Sequence, residues 1–190
     1  MLIAASLLLF QAAYHPTGPQ IEFTMANGKS FVITTDPKTS PLTVRHILRL
    51  VQSGFYDRQR VHRVENWVTQ WGAPESKTLP MDIKGANGKM ELNPKVGDGG
   101  SGKNIEKFEE APNIDYVRGM VGIASEGLQL PGDSQLFVLK KDALRLYRSY
   151  AVVGMVTRGM DVVGAIQRGD RIKSARVLIS ISKTRHPGNL

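Results

Sequence analysis

Cysteine is absent from the 190 residues, which removes disulfides, thiol nucleophiles and sulfur-ligated metals at once and leaves the redox compartment open. Histidine is scarce. His15, His46, His62 and His186 stand apart, with no pair four residues apart and no HExxH, so no metal is expected. Long apolar runs are missing too: residues 1–13 form an apolar stretch, but a membrane-crossing helix needs about 20 residues, so no membrane span is expected. Acidic residues are short at one end only. Residues 140–190 carry 11 Lys/Arg against 3 Asp/Glu, while residues 1–139 carry 14 of each, so the net charge of +8 belongs to the last quarter of the chain. Those charges are dispersed among apolar positions and form no run; they read as a solvated basic face, with nucleic acid not expected as a partner and anionic polymers the alternative.

What is present fits one folded domain: 41% apolar and 22% charged residues over a length that supports a single core. Residues 1–19 read as a signal peptide or disordered leader, apolar to Ala13 and then polar with two prolines. That placement makes the protein extracytoplasmic, periplasmic or secreted. The alternative is cytoplasmic, because no Lys or Arg precedes the apolar stretch and Phe10 and Gln11 are poor residues just before a cleavage point. The domain proper is set at residues 20–184, with a surface excursion over 74–102 and a tail over 185–190.

Within the domain, residues 21–25 and 30–34 are β-rich runs joined through Asn27-Gly28, a pair that suits a type I′ turn. Ser40-Pro41 supplies an N-cap and first helical residue, and Val44, Ile47, Leu48 and Val51 lie on one helical stripe that Ser53-Gly54 closes. A second, short helix is expected over 160–167, between Gly159 and Gly169. Short strands are expected over 61–64, 67–70, 119–124, 135–139, 151–157 and 175–181. Strands at this spacing with only two helices predict a mainly β fold, a closed antiparallel barrel with helical caps, because closure removes exposed edges. One motif misleads: residues 97–104, Gly-Asp-Gly-Gly-Ser-Gly-Lys-Asn, match GxGxxG and come within one residue of a P-loop. Asn93-Pro94-Lys95 instead of a buried strand precedes it, and Asn104 replaces the magnesium-binding hydroxyl, so neither a nucleotide nor any other cofactor is expected.

Three stretches carry more information: Ser53-Gly54-Phe55-Tyr56-Asp57 leading to Val61-His62-Arg63-Val64, then Trp67-Val68-Thr69-Gln70-Trp71-Gly72, then Asp133-Ser134-Gln135-Leu136-Phe137-Val138. In order and spacing they resemble the cyclophilin family of peptidyl-prolyl isomerases, over roughly residues 20–182. The resemblance implies an eight-stranded antiparallel barrel with a helix closing each end, a monomer, and proline-containing unfolded or flexible polypeptides as partners. It also implies accelerated rotation about X-Pro bonds in protein folding. The alternative is a proline-peptide binding module or holdase with little turnover.

That reaction explains the residue types. Amide resonance imposes a barrier of ~18–20 kcal/mol, and uncatalysed prolyl isomerisation takes tens to hundreds of seconds. No bond breaks, so a catalyst needs only contacts that favour the twisted amide over both planar forms. In the twisted state the prolyl nitrogen regains a lone pair, and a fixed cationic donor beside it stabilises that state. By resemblance Arg63 is that donor, with Gln70 and Phe137 completing the catalytic set. Phe137, Trp67, Val68 and Leu146 form the apolar pocket, and Gln70 and Gln135 orient the peptide and Arg63. The backbone around Ser125, from Ile123 through Ala124, pairs with the substrate main chain, and Tyr150 sits at the rim. His62, next to Arg63 on a strand, is expected to face the other way as a structural residue. The chain departs from the family in six places: Leu136 replaces a frequent Phe, the 77–95 excursion is longer than in compact members, and four more changes lie near the site. Glu65-Asn66 replaces a Pro-Gly turn and is one residue shorter, Trp71 replaces a glycine beside a catalytic strand, Ser125 stands where Asn is common, and Arg145 occupies a rim position often aromatic.

Overall fold

The computed structural model describes residues 14–179; the apolar stretch assigned to the leader and the tail over 185–190 lie outside them. Ten strands and two α-helices follow in order: β1 (Gln20–Met25), β2 (Ser30–Thr35), α1 (Pro41–Gln52), β3 (Arg63–Val64), β4 (Val68–Trp71), β5 (Asp82–Lys84), β6 (Met90–Leu92), β7 (Met120–Ile123), β8 (Leu136–Leu139), β9 (Val152–Arg158), α2 (Met160–Ala165) and β10 (Ile172–Leu178). Eight of the strands form one antiparallel sheet in the order β10-β1-β2-β9-β7-β8-β4-β3, curled round a core, while β5 and β6 pair with each other. The sheet does not close by a ladder. Its two edges are stitched by backbone bonds from Arg58 N to Ile172 O (2.9 Å), Ile172 N to Gln59 O (2.8 Å), Val61 N to Asp170 O (2.9 Å) and Gly169 N to Val61 O (2.8 Å). The barrel expected from the strand count is therefore a curled sheet with a sewn seam.

Strand alternation divides the apolar residues between two faces. Ile21, Phe23, Phe31, Ile33, Trp71, Val121, Ile123, Leu136, Val138 and Val153 pack into the interior with Ile47 and Val51 of α1 and Val163 of α2. Their neighbours Val68, Met120, Phe137, Leu139 and Val152 point outward and form a second cluster with Tyr116, Ala111 and Ala143 from the loops. This second face carries the site. Trp71 belongs to the first: it is fully buried, with its ring 5.2 Å from Phe23 and 5.7 Å from Phe31, edge to face. The bulk that replaces a small residue after Gln70 is thus absorbed by the core and leaves the opposite face clear.

Two local expectations change in the structure. The β1–β2 connection is not type I′, since Gly28 is left-handed at φ 83° but Asn27 is not; Gly28 N bonds Met25 O and Met25 N bonds Lys29 O, a type I turn with a glycine bulge. Helix α1 begins at Pro41 as expected, but the Ser40 hydroxyl caps nothing. Glu109, remote in sequence, accepts from Leu42 N (3.0 Å) and Thr43 N (2.8 Å) and takes the role of the cap. The excursion over 74–102 is ordered. It contains the β5–β6 hairpin, whose Gly88 repeats the geometry of Gly28 and whose Asn87 Oδ1 accepts from Lys89 N just as Asn27 Oδ1 accepts from Lys29 N. Arg60 binds its start through Ser76 and Leu79, and Arg168 binds Asp82 and Met81. At the chain's near end, residues just before β1 are docked: the Tyr14 hydroxyl donates to Asp36 Oδ2 at 3.0 Å and Gly18 N to Thr35 O at 2.9 Å.

Candidate active site

Antiparallel register lines up the central residues. Arg63 on β3 lies opposite Gln70 on β4, Gln70 opposite Phe137 on β8, and Phe137 opposite Gly122 on β7. Directly opposed residues share a face, so an arginine, a glutamine, an aromatic ring and an empty position form one row across the outer surface of the sheet. The empty position is required: a Cβ on Gly122 would sit 2.7 Å from Phe137 Cε1 and closer still to Cζ. Phe137 is nearly buried, and Tyr150 meets it edge to face at 5.4 Å. Tyr150 is itself held at its backbone, its carbonyl accepting from the Tyr116 hydroxyl and its N–H donating back to that oxygen at 3.2 Å.

Around this row lies a pocket of about 220 Å³, lined by Arg63, Trp67, Val68, Gln70, Ala124, Ser125, Phe137, Leu146 and Tyr150. All nine were expected from the sequence. Gln135 lies one step away, accepting from Gln70 Nε2 at 2.8 Å and donating to Gly97 O and Gly99 O at 2.8 and 2.9 Å. Ile123 does not join them. Its side chain packs in the interior opposite Leu136 and its N–H donates to Ala151 O, because Gly122 takes the outward position on that strand. His62 does not line the pocket and lies against Gly97. Burial, and then the charge of Arg63, lower its pKa to about 4, so it is neutral at pH 7.

The guanidinium of Arg63 is fixed at two points. Nη1 donates to Gln70 Oε1 at 3.2 Å and Nε to Glu65 Oε1 at 2.6 Å. The shortened turn keeps this geometry, with Glu65 N bonded to Val68 O at 2.9 Å, and it brings Glu65 Oε2 to the indole N–H of Trp67 at 2.7 Å. Arg145, at the position often aromatic, lays its guanidinium 4.4 Å from the Trp67 ring centre. Glu65 as a contact of Arg63 went unseen in the sequence, where an exposed turn glutamate is an ordinary residue.

A second, larger groove of about 610 Å³ adjoins the pocket through Gln70, Ala124 and Ser125, and continues along Gly97–Gly100 and Leu130–Gln135. The glycine-rich segment that imitates a phosphate loop is a wall of this groove. A 3-10 turn (Pro94–Gly97) precedes it, no helix follows it before β7, and Gln135 holds its carbonyls. Asp98, Glu126 and Asp133 line the groove without a lysine or arginine, so its potential opposes that of the basic chain as a whole. Among the described residues no cluster of three or more His, Asp or Glu side chains forms a metal-binding group, and no helix is long and apolar enough to cross a membrane.

Comparison with known proteins bears on this geometry. The family model described as cyclophilin type peptidyl-prolyl cis-trans isomerase/CLD matches residues 20–185. A probable peptidyl-prolyl cis-trans isomerase of Brucella abortus (strain 2308) is 32% identical over 144 residues, covering 74% of this chain and 68% of the relative. Peptidyl-prolyl cis-trans isomerase B of Bacillus subtilis (strain 168) is 27% identical over 156 residues, covering 82% of this chain and 95% of the relative. The fold is similar to a crystal structure of a Cryptosporidium parvum cyclophilin, at a TM-score of 0.66 and 18% identity, with 85% of this chain and 98% of that one covered. A domain-length family match, bacterial relatives of that name and a shared curled sheet agree with the row of Arg63, Gln70 and Phe137, and the chain belongs to the cyclophilin-type peptidyl-prolyl cis-trans isomerase family.

Proposed function

We propose that the pocket lined by Phe137, Trp67, Val68, Leu146 and Tyr150 receives the proline ring of an X-Pro segment, and that Arg63 drives the isomerisation. Proline-containing peptides are the substrate class of the family. An apolar slot with one polar edge selects a ring that has no N–H to satisfy. The N–H groups of Arg63 that neither Glu65 nor Gln70 engages meet the prolyl nitrogen as its lone pair emerges. Gln70 transmits position: it accepts from Arg63 and donates to Gln135, which is fixed to the backbone of the groove. Residues preceding the proline lie toward that groove, past Ala124 and Ser125. The reaction needs no proton transfer and no covalent intermediate from these groups.

The observation that carries the reading is the cross-strand row in which Arg63 is bonded to Gln70 beside Phe137. Its test is a proline-limited refolding or peptide assay with Arg63→Ala. Loss of a preorganised transition-state donor costs about 10²–10³-fold, and that is the expected drop in kcat/KM. A rate equal to wild type removes Arg63 from the mechanism; peptide binding by wild type without acceleration makes the chain a binding module instead. We also propose a monomer working outside the cytoplasm. Sedimentation, and N-terminal sequencing of protein from its host, decide these two points. A chain beginning near Tyr14 keeps the Tyr14–Asp36 bond.

A further inference from the structure

Glu65 sits at the lip of the pocket with both carboxylate oxygens engaged, although it is exposed. Oε1 accepts from Arg63 Nε and Oε2 from Trp67 Nε1, at 2.6 and 2.7 Å. These donors are the two groups that the reaction needs at a fixed separation, the cation and an aromatic wall. Two guanidinium groups crowd that wall, Arg63 at 5.5 Å and Arg145 at 4.4 Å from the ring centre, and the carboxylate offsets their mutual repulsion. An arginine anchored only by Gln70 could still turn about that contact. A second anchor on Nε fixes the plane of the fork, and with it the direction of the free N–H groups.

We propose that Glu65 is a positioning residue of this isomerase, bridging Arg63 and Trp67 so that the guanidinium faces the proline pocket in one orientation. The inference rests on the isomerase reading, because only that reaction makes the angle of the fork matter. The short turn enables it: Glu65 and Trp67 flank the single residue Asn66, close enough for one carboxylate to reach the indole and the preceding arginine together. The hydrogen bond from Arg63, then that from Trp67 and the charges of Arg63 and Arg145, hold the carboxyl below the usual glutamate range against a small cost of burial, so the bridge is intact at neutral pH. An exposed ion pair adds little to stability, so Glu65→Ala is expected to fold with an unchanged Tm.

The experiment compares wild type, Glu65→Ala, Glu65→Gln and Arg63→Ala in the peptide assay, and records the Trp67 indole N–H resonance of each at pH 7. Glu65→Ala is expected to lose about tenfold in kcat/KM, the loss falling on kcat, with the Trp67 resonance moved upfield and that of Trp71 unmoved. Glu65→Gln is expected to recover part of both, since its amide oxygen can replace one carboxylate oxygen but its NH2 cannot accept where the other stood. Wild-type or faster turnover by Glu65→Ala, or a loss confined to KM, overturns the proposal while Arg63→Ala remains inactive and the isomerase reading stands. A wild type no faster than Arg63→Ala refutes the isomerase reading and the positioning role with it; a surviving indole shift would then show that the bridge exists but serves no catalysis.

Discussion

Gly122→Ala is a one-carbon change placed where the site has no room for one. The new Cβ would lie 2.7 Å from Phe137 Cε1 and 3.1 Å from Cε2, with Cζ nearer than either. Ordinary carbon contacts begin near 3.5 Å, so the ring must retreat by about 1 Å. Backward movement is closed by the sheet, and sideways movement by Tyr150, whose ring centre is 5.4 Å away. The ring therefore moves outward into a pocket of only about 220 Å³, at the place proposed for the proline. Misplacement by about 1 Å at such a site costs on the order of 10²-fold, and overpacking costs about 1–3 kcal/mol of stability. The assay is kcat/KM on a proline peptide, with urea unfolding alongside. Gly164→Ala is the control, because a Cβ there meets nothing within 4 Å and the helix gains up to about 1 kcal/mol. Gly122→Ala combined with Phe137→Leu should unfold at higher urea than Gly122→Ala alone, since the smaller side chain removes the clash. Wild-type turnover by Gly122→Ala would refute the assignment of Phe137 to the pocket floor.

Other outcomes follow from the same contacts. Gln135→Ala frees both Gln70 and the carbonyls of Gly97 and Gly99, so kcat is expected to fall several-fold and amide exchange over residues 97–100 to quicken, measured by kinetics and hydrogen exchange. Glu109→Ala uncaps α1 and is expected to cost about 1–2 kcal/mol, a Tm decrease of a few degrees with kcat/KM unchanged. His62 titrates near 6.5 when unfolded and at about 4 when folded, so on acidification the unfolded state takes up the proton first. Stability is therefore lost as pH falls from about 6.5 to 4, by up to about 3 kcal/mol, and urea midpoints of His62→Gln should be flatter across that window.

Period-two alternation made most of the strands legible, while the nine pocket residues came from the family resemblance carried by motif order and spacing. Alternation also disposes of Trp71: a residue adjacent to an outward Gln70 on a strand must point inward, whatever its size. The β5–β6 hairpin carried the same Asn-Gly signal as the first one, at Asn87-Gly88, but short strands flanked by glycine and lysine hid it. The cap of α1 was out of reach, because nothing local ties Glu109 to a helix more than sixty residues earlier. The same holds for Gln135 and the 97–99 carbonyls, whose partnership exists only once the sheet has curled. Ile123, named for its backbone, keeps its side chain in the interior, since one residue along a strand is a change of face.

The sewn seam leaves β3 as a terminal strand two residues long, paired on one side only. Such a margin invites a strand from another molecule, and proteins discourage this with brevity and charge. Arg63 occupies half of that strand, so the side chain assigned to turnover is also a guard against self-association. Preparations of Arg63→Ala should accordingly be sized at assay concentration, and Arg63→Lys, which retains the charge without the fork, separates a fouled border from a missing donor.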